Sequence, residues 1–204
     1  SANLLLYGYG SYGNSISPGF SSTRLSLINR DIIWVTSHIR GGMERGMKWW
    51  KEGKLLNKKN TFEDYIAVAK FLIEKKYTSN NKIIGMGGSA GGLLMGAVVN
   101  KAPELFLGII MAVPFVDSLT TNLDHSLPLT VGEFEEFGNA KKNKEHFDYI
   151  SSYAPYNNIK KMDYPHMLIT TSLSDNRVLF DEPAKFTAKL REYKTDNNLL
   201  LLKT

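Results

Sequence analysis

The chain has 204 residues, about the length of one domain, and its 43% hydrophobic and 22% charged residues are typical of a folded globular protein rather than a disordered one. Its net charge is +5, but the basic residues are interspersed with acids, so the sequence predicts no nucleic-acid partner. Cysteine is absent, which excludes disulfides, thiolate metal sites and cysteine nucleophiles, and because no apolar run approaches the roughly 18 residues of a membrane span, we expect a soluble, cytoplasmic chain with no membrane partner.

Short apolar runs alternate with helical patterns along the chain. We predict β-strands at residues 4–7, 32–36, 82–86, 107–113, 167–171 and 199–202. Helices are predicted between them at residues 24–29, 61–76, 93–100 and 182–193. The segment 117–160 is predicted to be an irregular, polar excursion from this alternation. Strands that are apolar throughout and separated by helices predict an α/β fold, a mostly parallel sheet with helices on both faces.

The helix predicted at residues 61–76 has both a start signal and an apolar face. Thr61 is followed three residues later by Asp64, a variant of the capping box, so Thr61 is predicted to be the N-cap. Phe62 and Tyr65 follow at helical spacing, which predicts an amphipathic helix.

The most informative motif for function is Gly87-Gly88-Ser89-Ala90-Gly91, which matches the G-x-S-x-G nucleophile elbow. The elbow needs a sharp turn from a strand into a helix, where glycines remove side chains that would clash. A predicted strand precedes the motif and a predicted helix follows it, as this turn requires. Ser89 is therefore predicted to be a nucleophile, with the backbone N–H of Ala90 directed at a developing oxyanion.

Two glycine patterns favour an alternative function, the binding of a nucleotide. The first, at residues 8–13, satisfies G-x-G-x-x-G with Asp31 near the ribose-binding distance, but the Ser-Pro-Gly that follows cannot begin the helix that a pyrophosphate needs. The second, at residues 85–90, fits G-x-G-x-x-A between a strand and a helix. Because the next strand lacks the terminal acid that would bind a ribose, a nucleotide-binding module is the less favoured alternative.

An elbow serine also needs an orienting acid and a histidine, which follow the serine in the chain in this fold. Asp175 lies just after the strand predicted at 167–171, where such a sheet forms its site; taken alone, it is more typical of a turn aspartate that caps local amides. All four histidines precede Asp175, so none occupies the place of the base, and the triad is incomplete in this chain. The histidines are His38, His125, His146 and His166.

An acidic cluster, Glu133-Phe134-Glu135-Glu136, follows a turn at residues 128–132. It is typical of a solvated helix start, where acids suit the positive end of the helix dipole. On a chain of net charge +5, it is alternatively a recognition site for a cation. The residues alone leave both interpretations open.

Together these motifs resemble the catalytic domain of the prolyl oligopeptidase family of serine peptidases, in its oligopeptidase B branch. The resemblance implies an α/β-hydrolase fold and covers nearly the whole chain in the family's order. The segments that carry it are LLYGYGSYG at residues 5–13, IRGG at 39–42, NTFEDY at 60–65, GGSAGG at 87–92, VPFVD at 113–117, GEFEEFGN at 132–139 and YAPY at 153–156.

The resemblance implies a catalytic role for four residues. Ser89 matches the nucleophile and Asp175 the acid of the triad. The hydroxyl of Tyr9 would bind the oxyanion together with the Ala90 amide. No metal or organic cofactor is implied.

The resemblance also implies how a substrate is selected. Glu133 and Glu135 match the acidic pair that selects lysine or arginine on the acyl side of the scissile bond, and Arg177 matches the arginine that holds backbone carbonyls of the substrate. A guanidinium that meets two desolvated carboxylates forms charge-assisted bonds, whereas a neutral side chain would leave both acids unpaired.

The chain departs from the family pattern in three places. Ser17 and Gly19 stand where members often carry two acids, which argues against a second subsite for a basic residue. The N-terminal β-propeller that restricts entry to short peptides is absent. The last helix and the catalytic histidine, expected a few residues after Thr204, are absent as well. With apolar runs close to both termini, we expect residues 1–204 to be a partial α/β-hydrolase domain of a longer enzyme.

The sequence therefore predicts a serine-type oligopeptidase that hydrolyses short peptides after lysine or arginine through an acyl-enzyme on Ser89. Because the base is expected outside the chain, residues 1–204 alone should have little or no activity. Two further alternatives stay open beside the nucleotide-binding module: a serine esterase of the same fold and a non-catalytic fragment.

Overall fold

The computed structural model describes residues 2–204, and its centre is one sheet of six parallel strands in the order β2-β1-β3-β4-β5-β6. The strands are β1 Leu4–Tyr7, β2 Ile33–Thr36, β3 Ile83–Gly88, β4 Gly108–Ala112, β5 His166–Thr170 and β6 Leu200–Lys203. Each lies at a predicted position, and the predicted α/β fold with a mostly parallel sheet is confirmed. Because the strands are parallel, their carboxyl ends share one edge, and a crevice forms there where the strand order reverses between β1 and β3.

Eight α-helices within the described residues connect and cover the strands. They are α1 Ser22–Ile28, α2 Met47–Lys51, α3 Lys59–Glu74, α4 Ala90–Lys101, α5 Ser118–Leu123, α6 Phe134–Phe137, α7 Lys144–Ser151 and α8 Asp181–Tyr193. None of these helices combines the length and the apolar character needed to cross a bilayer.

The helices α3 and α4 pack against the same face of the sheet and build most of the core. A Cβ on Gly85 of β3 would contact both Tyr65 of α3 and Met95 of α4. The Tyr65 hydroxyl donates to the Leu6 carbonyl of β1 at 2.6 Å, which ties α3 to the sheet. All residues of α4 except Lys101 are buried, which explains why this helix is apolar on every side.

The opposite face of the sheet is covered only in part by the described residues. Ile84, Ile110 and Leu168 are half-buried there, and further out Leu201 is 51% and Leu199 61% exposed. These side chains line an open groove across β3 to β6. The expectation of helices on both faces therefore holds for one face and incompletely for the other within residues 2–204.

The predicted capping box at the start of α3 is wrong. The helix begins at Lys59, so Thr61 lies inside it. The Thr61 hydroxyl donates to the Arg40 carbonyl at 2.8 Å, and the Asp64 carboxylate accepts two N–H bonds from the Arg40 guanidinium, at 2.7 and 2.6 Å. Both side chains bind the loop after β2, because a bidentate charge-assisted pair is stronger than a neutral cap.

The segment 117–160 is not irregular as predicted, because it contains the three short helices α5, α6 and α7. The start of α7 follows a known rule, since the Asn143 side chain accepts the Glu145 N–H at 2.8 Å as an N-cap. These helices are too short for their periodicity to be visible in the sequence. Thr121 of α5 and the residues just before α6 line a pocket at the carboxyl edge of the sheet.

Candidate active site

Ser89 lies in the turn between β3 and α4, at the carboxyl edge of the sheet. Its φ of 55° and ψ of −119° are strained for a residue with a side chain. The surrounding backbone holds this conformation: the Ser89 N–H donates to the Ala112 carbonyl at 2.9 Å, and the Ser89 carbonyl accepts the N–H groups of Gly92 and Phe115 at 2.8 and 3.0 Å. The turn has the geometry that the elbow motif predicts.

Gly87 and Gly91 are required at this turn because backbone meets backbone there. A Cβ on Gly87 would lie 2.2 Å from the Gly91 carbonyl oxygen, and a Cβ on Gly91 would lie 2.8 Å from the Gly8 carbonyl oxygen. These carbonyls belong to α4 and to the end of β1, so neither can move without disturbing its element. Side chains are therefore excluded from both positions.

Two hydrogen-bond donors are candidates to bind an oxyanion formed at Ser89. Ala90 is the first residue of α4, so its N–H has no acceptor within the helix, and no other carbonyl of residues 2–204 accepts it. The Tyr9 side chain, two residues beyond β1, lines the same pocket as Ser89. Burial and the neighbouring Tyr7 raise the pKa of Tyr9, so its hydroxyl stays a donor at neutral pH. The pair could stabilise an oxyanion.

A pocket of about 270 Å³ opens next to Ser89. Phe115 and Val178 give it apolar walls, while Glu133 and Arg177 contribute charged groups to its lining. The volume is close to the lower end of the range of about 300–1,000 Å³ that is typical of small-molecule pockets. A group the size of one side chain can enter it.

Glu133 carries a negative charge into this pocket. The Tyr12 hydroxyl donates to Glu133 Oε1 at 2.9 Å, and Oε2 has no hydrogen-bond partner among residues 2–204. The pKa of Glu133 is raised, because burial outweighs the Tyr12 hydrogen bond and the charge of Arg177, which both lower it. Burial and the Glu133 carboxylate raise the pKa of Tyr12 far above its usual range, so Tyr12 is the donor in this pair.

The structure does not bring Glu135 into the pocket with Glu133. The Glu135 side chain is 75% exposed, and its carboxylate pairs with Lys54 at 3.2 Å. The reason is helical geometry. Each residue turns a helix by about 100°, so side chains two residues apart lie on nearly opposite sides of it. Glu136, which the sequence did not single out, is instead buried and forms an ion pair with Lys58 at 3.2 Å.

Asp175 follows β5 and shapes the loop that carries Arg177. Its Oδ1 accepts the N–H groups of Arg177 and Val178 at 2.9 and 3.0 Å, which is the amide-capping geometry of a turn aspartate. Its Oδ2 has no hydrogen-bond partner among the described residues. Asp175 does not line the pocket itself, but the Arg177 side chain does.

None of the four histidines in residues 2–204 hydrogen-bonds to Ser89 or Asp175 or lines the pocket. Each makes its contacts elsewhere. His38 Nε2 lies 3.0 Å from the Ile16 carbonyl oxygen, His146 Nδ1 accepts the Asn139 N–H, His166 Nδ1 accepts the Leu199 N–H, and the His125 ring meets the Phe134 ring edge-on.

Glu182 is a second acid in the pocket lining that sequence reasoning missed. Its Oε2 accepts the N–H groups of Val116 and Asp117 at 3.0 and 2.9 Å, and its Oε1 accepts the Thr121 hydroxyl at 2.5 Å. Burial raises the pKa of Glu182 to about 7. An acid in the first turn of a helix is common because of the dipole, so no local signal marked this one as buried.

Residues 18–204 match the prolyl oligopeptidase family. Over 203 residues the chain is 54% identical to Protease 2 of Moraxella lacunata and 47% identical to dipeptidyl aminopeptidase BI of Pseudoxanthomonas mexicana, covering all of this chain and 29% and 28% of those proteins. The fold matches oligopeptidase B from Leishmania major with a TM-score of 0.97 at 48% identity, over 99% of this chain and 28% of that one. The chain thus spans less than a third of the length of these relatives.

Proposed function

The chain belongs to the prolyl oligopeptidase family, and from this premise we propose that the protein containing it hydrolyses short peptides on the carboxyl side of lysine or arginine. The observation that carries the proposal is the Glu133 carboxylate in a side-chain-sized pocket beside the strained Ser89. An ammonium or guanidinium that enters the pocket pairs with Glu133. The carbonyl of that same substrate residue then lies at the Ser89 hydroxyl.

The chemistry we assign to Ser89 is acyl transfer. Its Oγ attacks the carbonyl carbon, and the electrons of the C=O bond move onto the oxygen, which accepts hydrogen bonds from the Ala90 N–H and the Tyr9 hydroxyl. The general base takes the Oγ proton and passes it to the leaving nitrogen as the C–N bond breaks. Water then attacks the acyl-enzyme by the same route and releases the acid.

We assign the general base to a histidine outside residues 2–204, oriented by Asp175. In support, the four histidines present make other contacts, and Asp175 Oδ2 has no partner among the described residues. Without a base the attack by Ser89 loses most of its activation. Residues 1–204 alone are then expected to have little or no peptidase activity.

The whole protein, in this proposal, also contains an N-terminal β-propeller and a C-terminal segment with a further helix. The relatives are more than three times as long as this chain. The open apolar groove lined by Ile84, Ile110, Leu168 and Leu201 offers a surface for that helix. A parallel sheet is ordinarily covered on both faces.

Arg177 is proposed to bind the backbone of the substrate. Its side chain lines the pocket, and its guanidinium has no hydrogen-bond partner among residues 2–204. The five N–H donors of a guanidinium suit carbonyl oxygens. Glu135, which lies outside the pocket lining, stays a prediction as a partner of Glu133.

The proposal is tested with amide substrates that differ only in the residue before the scissile bond. The whole protein should cleave an arginyl or lysyl amide at least about 100-fold faster, in kcat/KM, than the alanyl amide. Ser89→Ala should abolish turnover and labelling by a fluorophosphonate. Equal rates for all three amides, or turnover confined to short acyl esters, would show an esterase or another specificity.

A dipeptidyl aminopeptidase activity is a second candidate, because a relative with 47% identity carries that name. It would require a free amino terminus two residues before the scissile bond. Matched substrates with a free and an acetylated amino terminus separate the two activities. Cleavage of both supports the oligopeptidase, and cleavage of the free form alone supports the aminopeptidase.

A further inference from the structure

A buried ion pair between Lys58 and Glu136 lies behind the pocket. Their side chains are 1% and 3% exposed, and Lys58 Nζ is 3.2 Å from Glu136 Oε1. The mechanism proposed above uses neither residue. Lys58 stands beside Lys59 in the sequence, and nothing in the sequence distinguishes the buried lysine from its neighbour.

The ammonium group of Lys58 binds the loop that follows β1. It donates to the Gly10 carbonyl and to the Ser11 hydroxyl, each at 2.7 Å. Gly10 directly follows Tyr9, whose side chain lines the pocket together with Ser89. Ser11 directly precedes Tyr12, whose hydroxyl donates to Glu133. Lys58 therefore fixes the backbone between these two tyrosines.

Glu136 connects the same lysine to the segment that carries Glu133. The two acids are one helical turn apart at α6, and the second carboxylate oxygen of Glu136 accepts the Trp50 indole N–H at 2.9 Å. The neighbouring Phe137 ring meets the Tyr12 ring edge-on at 5.8 Å. The ion pair thus connects the loop that carries Tyr9 to the segment that carries Glu133.

A buried ion pair of this kind is weak evidence for a gain in stability. Burial lowers the pKa of Lys58 to about 8, and only the Glu136 carboxylate opposes that effect. Apolar residues of the same volume often stabilise a fold as well as or better than a buried ion pair. The pair provides direction instead. Three hydrogen bonds from the Lys58 ammonium group join the Gly10–Ser11 loop to Glu136, and a fourth, from Trp50, holds the Glu136 carboxylate.

We propose that Lys58 is a positioning residue that, through Glu136 and the Gly10 carbonyl, sets the separation of the Tyr9 hydroxyl and the Glu133 carboxylate. That separation must match the distance from a basic side chain to its own carbonyl if both ends are to be bound at once. The inference rests on the proposed function, because it gives Lys58 a role only if Glu133 binds a cation.

The test uses benzamidine, a cation that mimics an arginine side chain, and neutral benzamide as its control. Binding needs neither the general base nor turnover, so calorimetric titration reports on the pocket alone. The informative variant is Lys58→Met combined with Glu136→Gln, which removes both buried charges and strands neither of them. Lys101→Met, which breaks an ion pair with Glu63 elsewhere on the surface, is the matched control.

We expect the double variant to bind benzamidine at least about tenfold more weakly while its melting temperature stays near the wild-type value. The Lys101→Met control should bind as the wild type does. Glu133→Gln alone should lose most of the affinity for benzamidine. In the triple variant, which adds Glu133→Gln to the double variant, the loss of affinity should be much smaller than the product of the two separate losses. Such coupling is expected only if Lys58 acts through Glu133.

Two results would overturn the inference, and they are distinguishable. If the wild type binds benzamidine no better than benzamide, the proposed preference for basic residues fails, and the role of Lys58 fails with it. If the wild type prefers benzamidine but the double variant keeps its affinity within twofold, or if the effects multiply independently, only the role of Lys58 is wrong.

Discussion

A single hydrogen bond, from the Tyr12 hydroxyl to Glu133 Oε1, holds the Glu133 carboxylate in the pocket. Tyr12 occupies one oxygen of the carboxylate and leaves the other without a partner among residues 2–204. The neighbouring Glu135 is already paired with Lys54 on the exposed side of α6. At the scale of residues, the two acids of the predicted pair are therefore not equivalent.

Replacing Glu133 by Gln should remove the charge and keep the shape, because the amide oxygen can still accept the Tyr12 hydroxyl. A charge-assisted hydrogen bond contributes about 1.5–3 kcal/mol. We expect kcat/KM for an arginyl amide to fall about 10- to 150-fold and that for an alanyl amide to change little.

Glu135→Gln is the matched control, since it removes the same charge two residues away. It should change kcat/KM for the arginyl amide less than threefold, as exposed ion pairs are weak. Equal losses of kcat/KM in the two variants would support the acidic pair of Glu133 and Glu135 that the resemblance implies.

Gly87→Ala tests the elbow. The added Cβ would lie 2.2 Å from the Gly91 carbonyl oxygen, and overpacking of this kind costs about 1–3 kcal/mol or more. Chemical denaturation should show that loss, and labelling of Ser89 in the whole protein should slow sharply. Gly19→Ala, where a Cβ meets nothing closer than 3.9 Å, should change neither measurement.

At the scale of elements, one side chain joins the segment after β4 to the start of α8. Glu182 accepts hydrogen bonds from two backbone N–H groups and one hydroxyl of that segment while it lines the pocket. Asp117 disfavours its ionised form, and Lys185, which pairs with Asp117, favours it. The contact joins two parts of the pocket lining, Thr121 on the segment after β4 and Glu182 in α8.

Glu182 should make the stability of the protein depend on pH. Its pKa is about 7 in the folded chain and near 4.5 when unfolded, so between these values the folded state keeps a proton that the unfolded state has released. The free energy of unfolding should therefore fall as the pH rises from about 4.5 to about 7, by about 3 kcal/mol from this group.

Denaturant titrations of the wild type and Glu182→Gln across this pH range measure the effect. The difference in unfolding free energy between the two proteins should change by that amount, with the wild type relatively more stable at the acid end. Glu145→Gln, at an exposed position of α7, should run parallel to the wild type. A constant difference between wild type and Glu182→Gln would contradict the assignment.

At the scale of the whole molecule, the groove across β3 to β6 leaves apolar side chains of the sheet exposed. Its lining is almost entirely apolar, with Leu199 and Leu201 more than half exposed. Exposed apolar surface of this kind marks an interaction site or an aggregation hazard. In the proposed whole protein, a further helix covers it.

Leu201→Lys distinguishes a covered groove from a free one. In the whole protein the charge would be buried, and we expect a loss of about 2 kcal/mol or more in unfolding free energy. In residues 1–204 alone the same change should cost less than about 0.5 kcal/mol and reduce self-association, as measured by light scattering. Phe71→Lys, on α3 at 51% exposure, should be tolerated in both proteins.

The sequence by itself determined the strands, the helices α1, α3, α4 and α8, and the elbow at Ser89. These features depend on neighbours in the chain. A short run of apolar residues predicts a buried strand from its own pattern. Glycines on either side of a serine permit the sharp turn through their own backbone freedom. Family resemblance added the expected roles of Tyr9 and Arg177, whose side chains line the pocket beside Ser89, and supported Asp175 as the candidate acid. These roles stay predictions.

Only the tertiary structure decided which way the acids point and which lysine is buried. Glu133, Glu135 and Glu136 look alike in the sequence, yet they contact Tyr12, Lys54 and Lys58 respectively. Lys58 meets Gly10 across 48 residues of chain, and no local pattern encodes such a contact. A charged side chain is buried only where distant segments supply its partners. The sequence around Lys58 therefore does not show that this lysine is buried, because its partners come together only in the folded chain.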